Sequence, residues 1–257
     1  GTAFGGTAEG EPLYRYYGYV VDHIIETQEQ ADNAMYDSSA KGYRPSDGKN
    51  IAGRKEIGDY EWKNREGSQT KDGKDYIDSQ DQFLLGYTVP HSTGGLNNNF
   101  TYKNFTLNIF LDWALGHSIN NNSEMRYFMN TFANNYTLID EVKQCWKQPG
   151  DNTKYARFTA NDPDDGNANF SRTSNVFNYK GDYLCIREIS LQYNVPTNKL
   201  TKLGIQNLAI TLAGNNLHYF TAVKGVSPEV GASTTYNKDY YNYPPIRKYS
   251  VGVKVTF

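Results

Sequence analysis

Three observations predict an all-β fold, and within it a segment of an antiparallel transmembrane β-barrel. The last nine residues, Tyr249 to Phe257, alternate apolar and polar without a slip. Tyr249, Val251, Val253, Val255 and Phe257 fall on one face of a strand, and Ser250, Gly252, Lys254 and Thr256 on the other. The chain also stops flush with an aromatic strand residue, as bacterial outer-membrane barrels commonly do. Finally, 22 Tyr and 12 Phe are enough to furnish aromatic girdles at both membrane interfaces. A soluble half-buried strand alternates in the same way. A soluble secreted β-domain that binds carbohydrate or mediates adhesion therefore stands as the alternative.

Composition removes several classes. A net charge of −2 offers no basic excess for nucleic acid. The mean hydropathy of −0.73 is too polar for a helical membrane protein, and no run approaches the ~18 to 20 apolar residues of a spanning helix. A barrel escapes both limits, because only every second residue of its strands meets lipid. Cys145 and Cys185 have no framework spacing and read as two unpaired thiols, with a single disulfide as the alternative. No charged segment followed by an apolar core opens the chain, so no signal peptide is read there.

In chain order, Pro12 to Val21 reads as an aromatic strand, and Thr27-Gln-Glu-Gln30 as a capping box opening a helix that runs to about Tyr36. Residues 37–75 are loop, with Ile57 to Trp62 a plausible strand inside them. Phe83 to Val89, Leu96 to Tyr102 and Phe105 to Trp113 follow as strands, the last two joined by a tight turn at Lys103-Asn104. Residues 116–181 are rich in Asn, Asp and Gly, with helical pieces at Glu124 to Phe132 and Leu138 to Trp146. A loop this long burdens a compact domain but suits the outer side of a barrel. Asp182 to Val195, Ile205 to Ala213 and Ile246 to Phe257 complete seven or eight strands of roughly the ~9 to 11 residues that a tilted crossing needs. In Asp182 to Val195 the apolar phase breaks: either a bulge near Arg187-Glu188 reconciles the two halves, or the first half rises above the bilayer, where the lipid rule no longer applies.

Several phrases then fall in the order of one family. Gly10-Glu-Pro-Leu13 with Tyr16-Tyr-Gly-Tyr19, Gly58-Asp59, and Lys71-Asp-Gly-Lys74 with Ile77-Asp78 come first. Leu85-Gly86 to Pro90, Tyr102-Lys-Asn-Phe105, and Gly181-Asp-Tyr-Leu184 through Tyr193 and Pro196 come next. Gly214-Asn-Asn-Leu217, Ser227-Pro-Glu-Val230 and Pro245-Ile-Arg247 finish the series. Together they resemble the carboxyl-terminal end of SusC/RagA-type TonB-dependent outer-membrane transporters of Bacteroidetes. Cys185, Gln82 and Gln192 depart from residues usual in that family.

The resemblance implies part of a barrel of about 22 strands with long extracellular loops carrying short helices. Residues 1–257 are then the carboxyl-terminal portion of the barrel domain, without the plug or the first strands. It implies import of oligosaccharides or peptides energised by TonB acting through the missing plug region. A SusD-like surface lipoprotein is the implied partner, outer-membrane lipid the surroundings, and no cofactor or covalent chemistry is expected. Phe257 would end the strand that closes the barrel and carry the assembly signal, together with Tyr249, Val251, Val253 and Val255. The candidate residues for contact with substrate or partner are Trp146, Tyr155 and Phe158 in one long loop and Tyr236, Tyr240 and Tyr241 in the other. Amphipathic aromatic rings suit such surfaces, and they also suit loop packing or an interface belt.

Catalytic and metal motifs are weak. His23, His91, His117 and His218 have no i, i+4 pairing, and Gly116-His-Ser-Ile-Asn120 lacks the second glycine of a nucleophile elbow. Asp72, Asp75, Asp78 and Asp81 suggest a hard cation, but their spacing is not that of an EF-hand loop. A solvated turn that satisfies its own backbone is the competing reading.

Overall fold

The computed structural model describes residues 9–37, 55–65, 75–129, 138–159, 169–200, 204–229 and 245–257. The chain divides into two units. The first comprises Gly1–Thr88, Ser118–Tyr179 and Gly231–Tyr241, the second Val89–His117, Lys180–Val230 and Asn242–Phe257. The first unit opens with β1 (Arg15–Gly18), β2 (Val21–Ile24), α1 (Gln28–Asn33), β3 (Tyr36–Asp37), β4 (Tyr60–Trp62), β5 (Tyr76–Ile77) and β6 (Phe83–Tyr87). The second contributes β7 (Ser92–Tyr102) and β8 (Phe105–Leu115). The chain returns to the first for β9 (Ser118–Asn120), α2 (Asn122–Phe128) and most of β10 (Asn178–Lys180). It finishes in the second with β11 (Tyr183–Asn194), β12 (Asn207–Thr221) and β13 (Lys248–Thr256).

The second unit is one antiparallel sheet in the order β13-β12-β11-β8-β7. Its strands are 11, 11, 12, 15 and 9 residues long in chain order, which suits a tilted membrane crossing. Thr93, Ala114, Tyr183 and Thr221 lie side by side at one end. The long connections 116–182 and 222–247 both leave from that end. The opposite end carries only the turn at Lys103-Asn104 and the connection 195–206. Long connections at one end and short ones at the other match what is expected of a transmembrane barrel segment. β7 begins well before Leu96 because Gly94 stands opposite Trp113, and a Cβ there would run into the indole.

The phase break is a bulge, the first of its two readings. Pairing jumps from Ile186 to Glu188 against both β8 and β12. On the partner strand Asn216 takes a φ of +52°, so β12 continues through Gly214-Asn-Asn-Leu217 instead of stopping at Ala213.

Three expected spanning strands are short pieces of the first unit. Pro12 to Val21 breaks into β1, paired with β6, and β2, paired with β4, because Tyr19 turns away to bridge Ser174. β4 has all three residues buried, so neither of its faces is available to lipid. β6 is only five residues long. Five strands of spanning length are therefore found among the described residues, not seven or eight.

The capping box forms as read: the Thr27 hydroxyl accepts from the Gln30 amide at 3.2 Å, and Gln30 Oε1 accepts from the Thr27 amide at 3.1 Å. The helix ends at Asn33, earlier than expected, since Tyr36 is drawn into a parallel pair with Tyr76. The core of this unit is aromatic. Trp62, Tyr60, Phe128, Phe170 and Phe177 are fully buried, with Phe128 packed at 5.1 Å and 5.2 Å from Phe170 and Phe177. Of the expected helix Glu124 to Phe132, α2 forms the part up to Phe128, and residues 130–132 lie outside the described residues; in Leu138 to Trp146 only a 3-10 turn at Asp140–Gln144 is helical.

Candidate functional site

Register assigns every side chain of the sheet to one of two faces. Phe100, Leu107, Leu191, Leu212 and Val251 form one row across all five strands. The next row is Tyr102, Phe105, Tyr193, Ile210 and Val253, with the Phe105 and Tyr193 rings 4.7 Å apart near the short-turn end. Toward the other end the same face carries Trp113, Leu184 and Phe220. Nothing in the sheet covers this face: Phe100 is 57% exposed, Leu212 51% and Val251 74%. So large an apolar surface, interrupted by Asn98 and His218, needs a partner or a membrane. From Phe105 to Trp113 the band runs roughly 27 Å along the strand, or about 21 Å at a 40° tilt, close to the apolar height of an outer-membrane barrel.

The opposite face is polar. Its rows include Thr101, Thr106, Gln192 and Thr211, and then Asn99, Asn108, Ser190 and Ser250. At the bulge Arg187 gathers a cluster that the sequence reading missed. Its guanidinium donates to Asp112 Oδ1 at 2.8 Å and Oδ2 at 2.7 Å, to Asn216 Oδ1 at 2.8 Å and to the Tyr219 hydroxyl at 3.1 Å. It also pairs with Glu229 from the Ser227-Pro-Glu-Val230 phrase. Asn216 in turn donates to the carbonyl of Ile246, just before β13. One arginine thus ties two strands to the connection that follows β12. The phase break was visible in the sequence, but it signalled only a bulge and not the side chain that the bulge aims.

The expected contact residues separate. Tyr155 is a core residue, not a contact surface. It is 6% exposed, its ring lies 4.4 Å from Phe128, and its hydroxyl donates to Glu124 Oε1 at 3.0 Å. Tyr179 donates to the other Glu124 oxygen at 2.7 Å, and Lys154 lies over both phenol rings at 5.0 Å and 4.9 Å. Burial, reinforced by Glu124, pushes both phenols up from their ordinary value, and burial pushes the Lys154 ammonium down. This cluster satisfies itself and leaves no ring for a ligand. Trp146 is half-buried against Gly58, whose φ of +96° and missing Cβ admit the indole. Phe158 is half-buried and packs on the aromatic core. Tyr236, Tyr240 and Tyr241 lie outside the described residues. In the closing strand, Tyr249 is 73% exposed, Val253 63%, Val255 39% and Phe257 79%.

Asp72 also lies outside the described residues. Asp81 is fully buried and accepts from the Arg65 and Asp78 amides at 2.7 Å and 2.8 Å. Asp78 accepts from the Gln80 amide at 2.6 Å. The described part of this turn therefore uses carboxylates to hold its own backbone. Among the described residues no group of three His, Cys, Asp or Glu is arranged to hold a metal.

Both cysteines are free and buried. Burial pushes the Cys145 thiol up to about 12, which leaves roughly one molecule in ten thousand as thiolate at pH 8. Native protein is accordingly expected to leave Cys145 unmodified by an aqueous thiol reagent at pH 8, while unfolded protein reacts. Prompt native labelling, read by peptide mass spectrometry, would contradict this burial.

Comparison with known proteins follows the same lines. No protein-family model matches the chain. It is 28% identical over 194 residues to TonB-dependent receptor P3 of Formosa agariphila, covering 72% of this chain and 18% of that protein. It is 27% identical over 200 residues to TonB-dependent receptor P39 of the same organism, covering 74% and 18%. The chain thus spans under a fifth of the length of either of these curated relatives. In structure it is similar to a chain of the RagAB peptide transporter, with a TM-score of 0.61 at 17% identity over 95% of this chain and 23% of the other. The 'open-open' state of the RagAB peptide importer gives 0.58.

Proposed function

We propose, for a chain related in sequence to the TonB-dependent receptors over nearly three quarters of its length, that it forms the closing wall of an active importer in the bacterial outer membrane. Residues 1–257 are read as the carboxyl-terminal portion of a SusC/RagA-type barrel whose plug and first strands belong to the rest of the transporter. The cargo is a nutrient oligomer, peptide or oligosaccharide. TonB supplies the energy through the plug, a SusD-like lipoprotein works at the outer side, and the cargo crosses without covalent change.

The observation that carries this reading is the two-faced sheet. An uncovered apolar face and a polar face alternate in register across five strands, and both long connections leave from one end. A soluble carbohydrate-binding or adhesion module would expose the apolar face to water, at odds with the burial that such a surface demands. In the importer, the polar face with Arg187, Asp112 and Glu229 lines the lumen.

The test uses the full transporter in membranes with single cysteines. Val251→Cys and Val253→Cys are expected to react with a lipid-partitioned thiol probe, and Ser250→Cys and Lys254→Cys with a water-soluble one. Removal of TonB should abolish uptake of the oligomer that supports growth. The opposite labelling pattern, or a transporter that is soluble without detergent, overturns the reading.

A further inference from the structure

The first unit holds a polar cleft of about 450 Å³, between the corner that leads from β2 into α1 and the turn at residues 150–153. This is a volume in the range of ligand pockets. His23, Glu26 and Gln30 line one side, Asp151 and Asn152 the other. Both sides are tied to one stretch of backbone before β4. The Ile25 amide donates to the Asp59 carbonyl at 2.9 Å, the Gly58 amide to the Ile25 carbonyl at 2.7 Å, and the Arg157 amide to the Gly58 carbonyl at 2.7 Å. The walls are thus fixed by the fold, with no ligand needed to bring them together.

What these walls have to spare is acceptors. The backbone donors at the corner are taken, since Gln30 Oε1 accepts from the Glu26 and Thr27 amides at 2.7 Å and 3.1 Å. Those at the turn are taken as well, since Asp151 Oδ2 accepts from the Lys147 and Gln148 amides at 2.9 Å and 3.0 Å. His23 is paired with Asp22 at 2.8 Å. The Glu26 carboxylate and the other Asp151 oxygen have no hydrogen-bond or ion-pair partner among the described residues. Both side chains are half-buried, and no lysine or arginine lines the cleft. A carboxylate that gives up water without gaining a donor is costly, and a cation seated against it removes that cost. An anion would meet two like charges.

We propose that this cleft seats a primary ammonium group of a peptide cargo, with the Glu26 carboxylate and the free oxygen of Asp151 as its acceptors. The proposal rests on the importer reading above and chooses the peptide among its cargoes. An ammonium carries three donors and no acceptor, which matches walls whose unused groups are carboxylate oxygens. A neutral sugar gains less there, because its hydroxyls bring no charge to set against two carboxylates.

The full transporter in mild detergent is titrated by calorimetry with a lysine-containing pentapeptide. The unaltered protein is expected to bind it, and acetylation of both amines of the peptide to lower the affinity about tenfold. The singly acetylated peptides then show whether the side chain or the amino terminus is seated. Glu26→Gln removes a charge that holds nothing in the fold, and Asn152→Lys puts an ammonium of the protein's own into the cleft. Each is expected to cost about the same tenfold. Glu29→Gln, the same change of charge at an exposed position of α1 that does not line the cleft, should cost nothing. No binding of the peptide overturns the proposal, as does equal affinity for its doubly acetylated form, an unaltered affinity in Glu26→Gln, an equal loss in Glu29→Gln, or binding of maltopentaose in its place. Failure of the importer reading would show elsewhere, as uptake that does not depend on TonB. Failure of this site alone leaves that dependence intact.

Discussion

Replacement of Leu107 by arginine is expected to destabilise the membrane-inserted form of the proposed transporter, whereas the same change at Thr106 is expected to be nearly silent. The two residues are adjacent in β8, and register sends them to opposite faces. Leu107 shares a row with Phe100, Leu191, Leu212 and Val251, one row from the centre of the band at Ile109. An arginine on the lipid face near the midplane costs about 2 to 4 kcal/mol, falling to about 0 to 1 near the interfaces. Thr106 looks onto the polar face, close to the Thr101 hydroxyl, where a guanidinium stays hydrated. Urea titration of the full transporter folded into vesicles should register the difference as a lowered midpoint for Leu107→Arg only. Equal effects of the two substitutions would mean that the two faces are not lipid and water.

How much of this was legible in the sequence depends on which interactions shape each residue. β8, β11 and β13 were readable because a sheet with one apolar face writes a period of two into the chain. The bulge at Arg187 was readable as well, since it shifts that period by one. β4 was not. Tyr60, Glu61 and Trp62 are all buried, so no alternation marks them, and Glu61 is kept in the interior by its pairing with Lys55 from a neighbouring turn. The buried position of Tyr155 was not legible for a related reason. A ring in a polar, Asn-rich segment looks like a surface feature, yet Tyr155 sits in a core assembled from segments more than a hundred residues apart in the chain, β4 and Phe170 among them. The Arg187 cluster was hidden because Asp112, Asn216 and Glu229 reach it only through strand pairing and a returning connection. Local pattern records the face of a strand and does not record which distant side chains converge on it.

The strongest such convergence in the first unit is at Asp59, and Asp59→Ala is expected to loosen that unit while leaving the sheet unchanged. Asp59 is fully buried. One carboxylate oxygen accepts from Arg157 Nε at 2.6 Å and Asn169 Nδ2 at 2.9 Å, the other from the Glu56 amide at 2.8 Å and Arg157 Nη2 at 3.3 Å. Asn169 passes the connection on by accepting from the Tyr60 amide at 3.0 Å. One side chain thereby links the turn before β4 to residues 157 and 169. Truncation leaves the Asn169 and Glu56 amides without this acceptor and Arg157 with Glu56 as its remaining ion-pair partner at 2.8 Å, so the loss stays at or below the roughly 3 kcal/mol of a broken buried pair. The Arg157 side chain is 27% exposed, so water recovers part of it as well. Asp59→Asn should do little better, because its amide nitrogen would face the donors of Arg157 and Asn169. Hydrogen exchange on the reconstituted transporter is the measurement: peptides spanning 55–62 and 169–177 should exchange faster, and those spanning 183–194 should not. Unchanged exchange in Asp59→Ala would mean that the aromatic core alone holds these segments, and that the carboxylate is only a passenger within it.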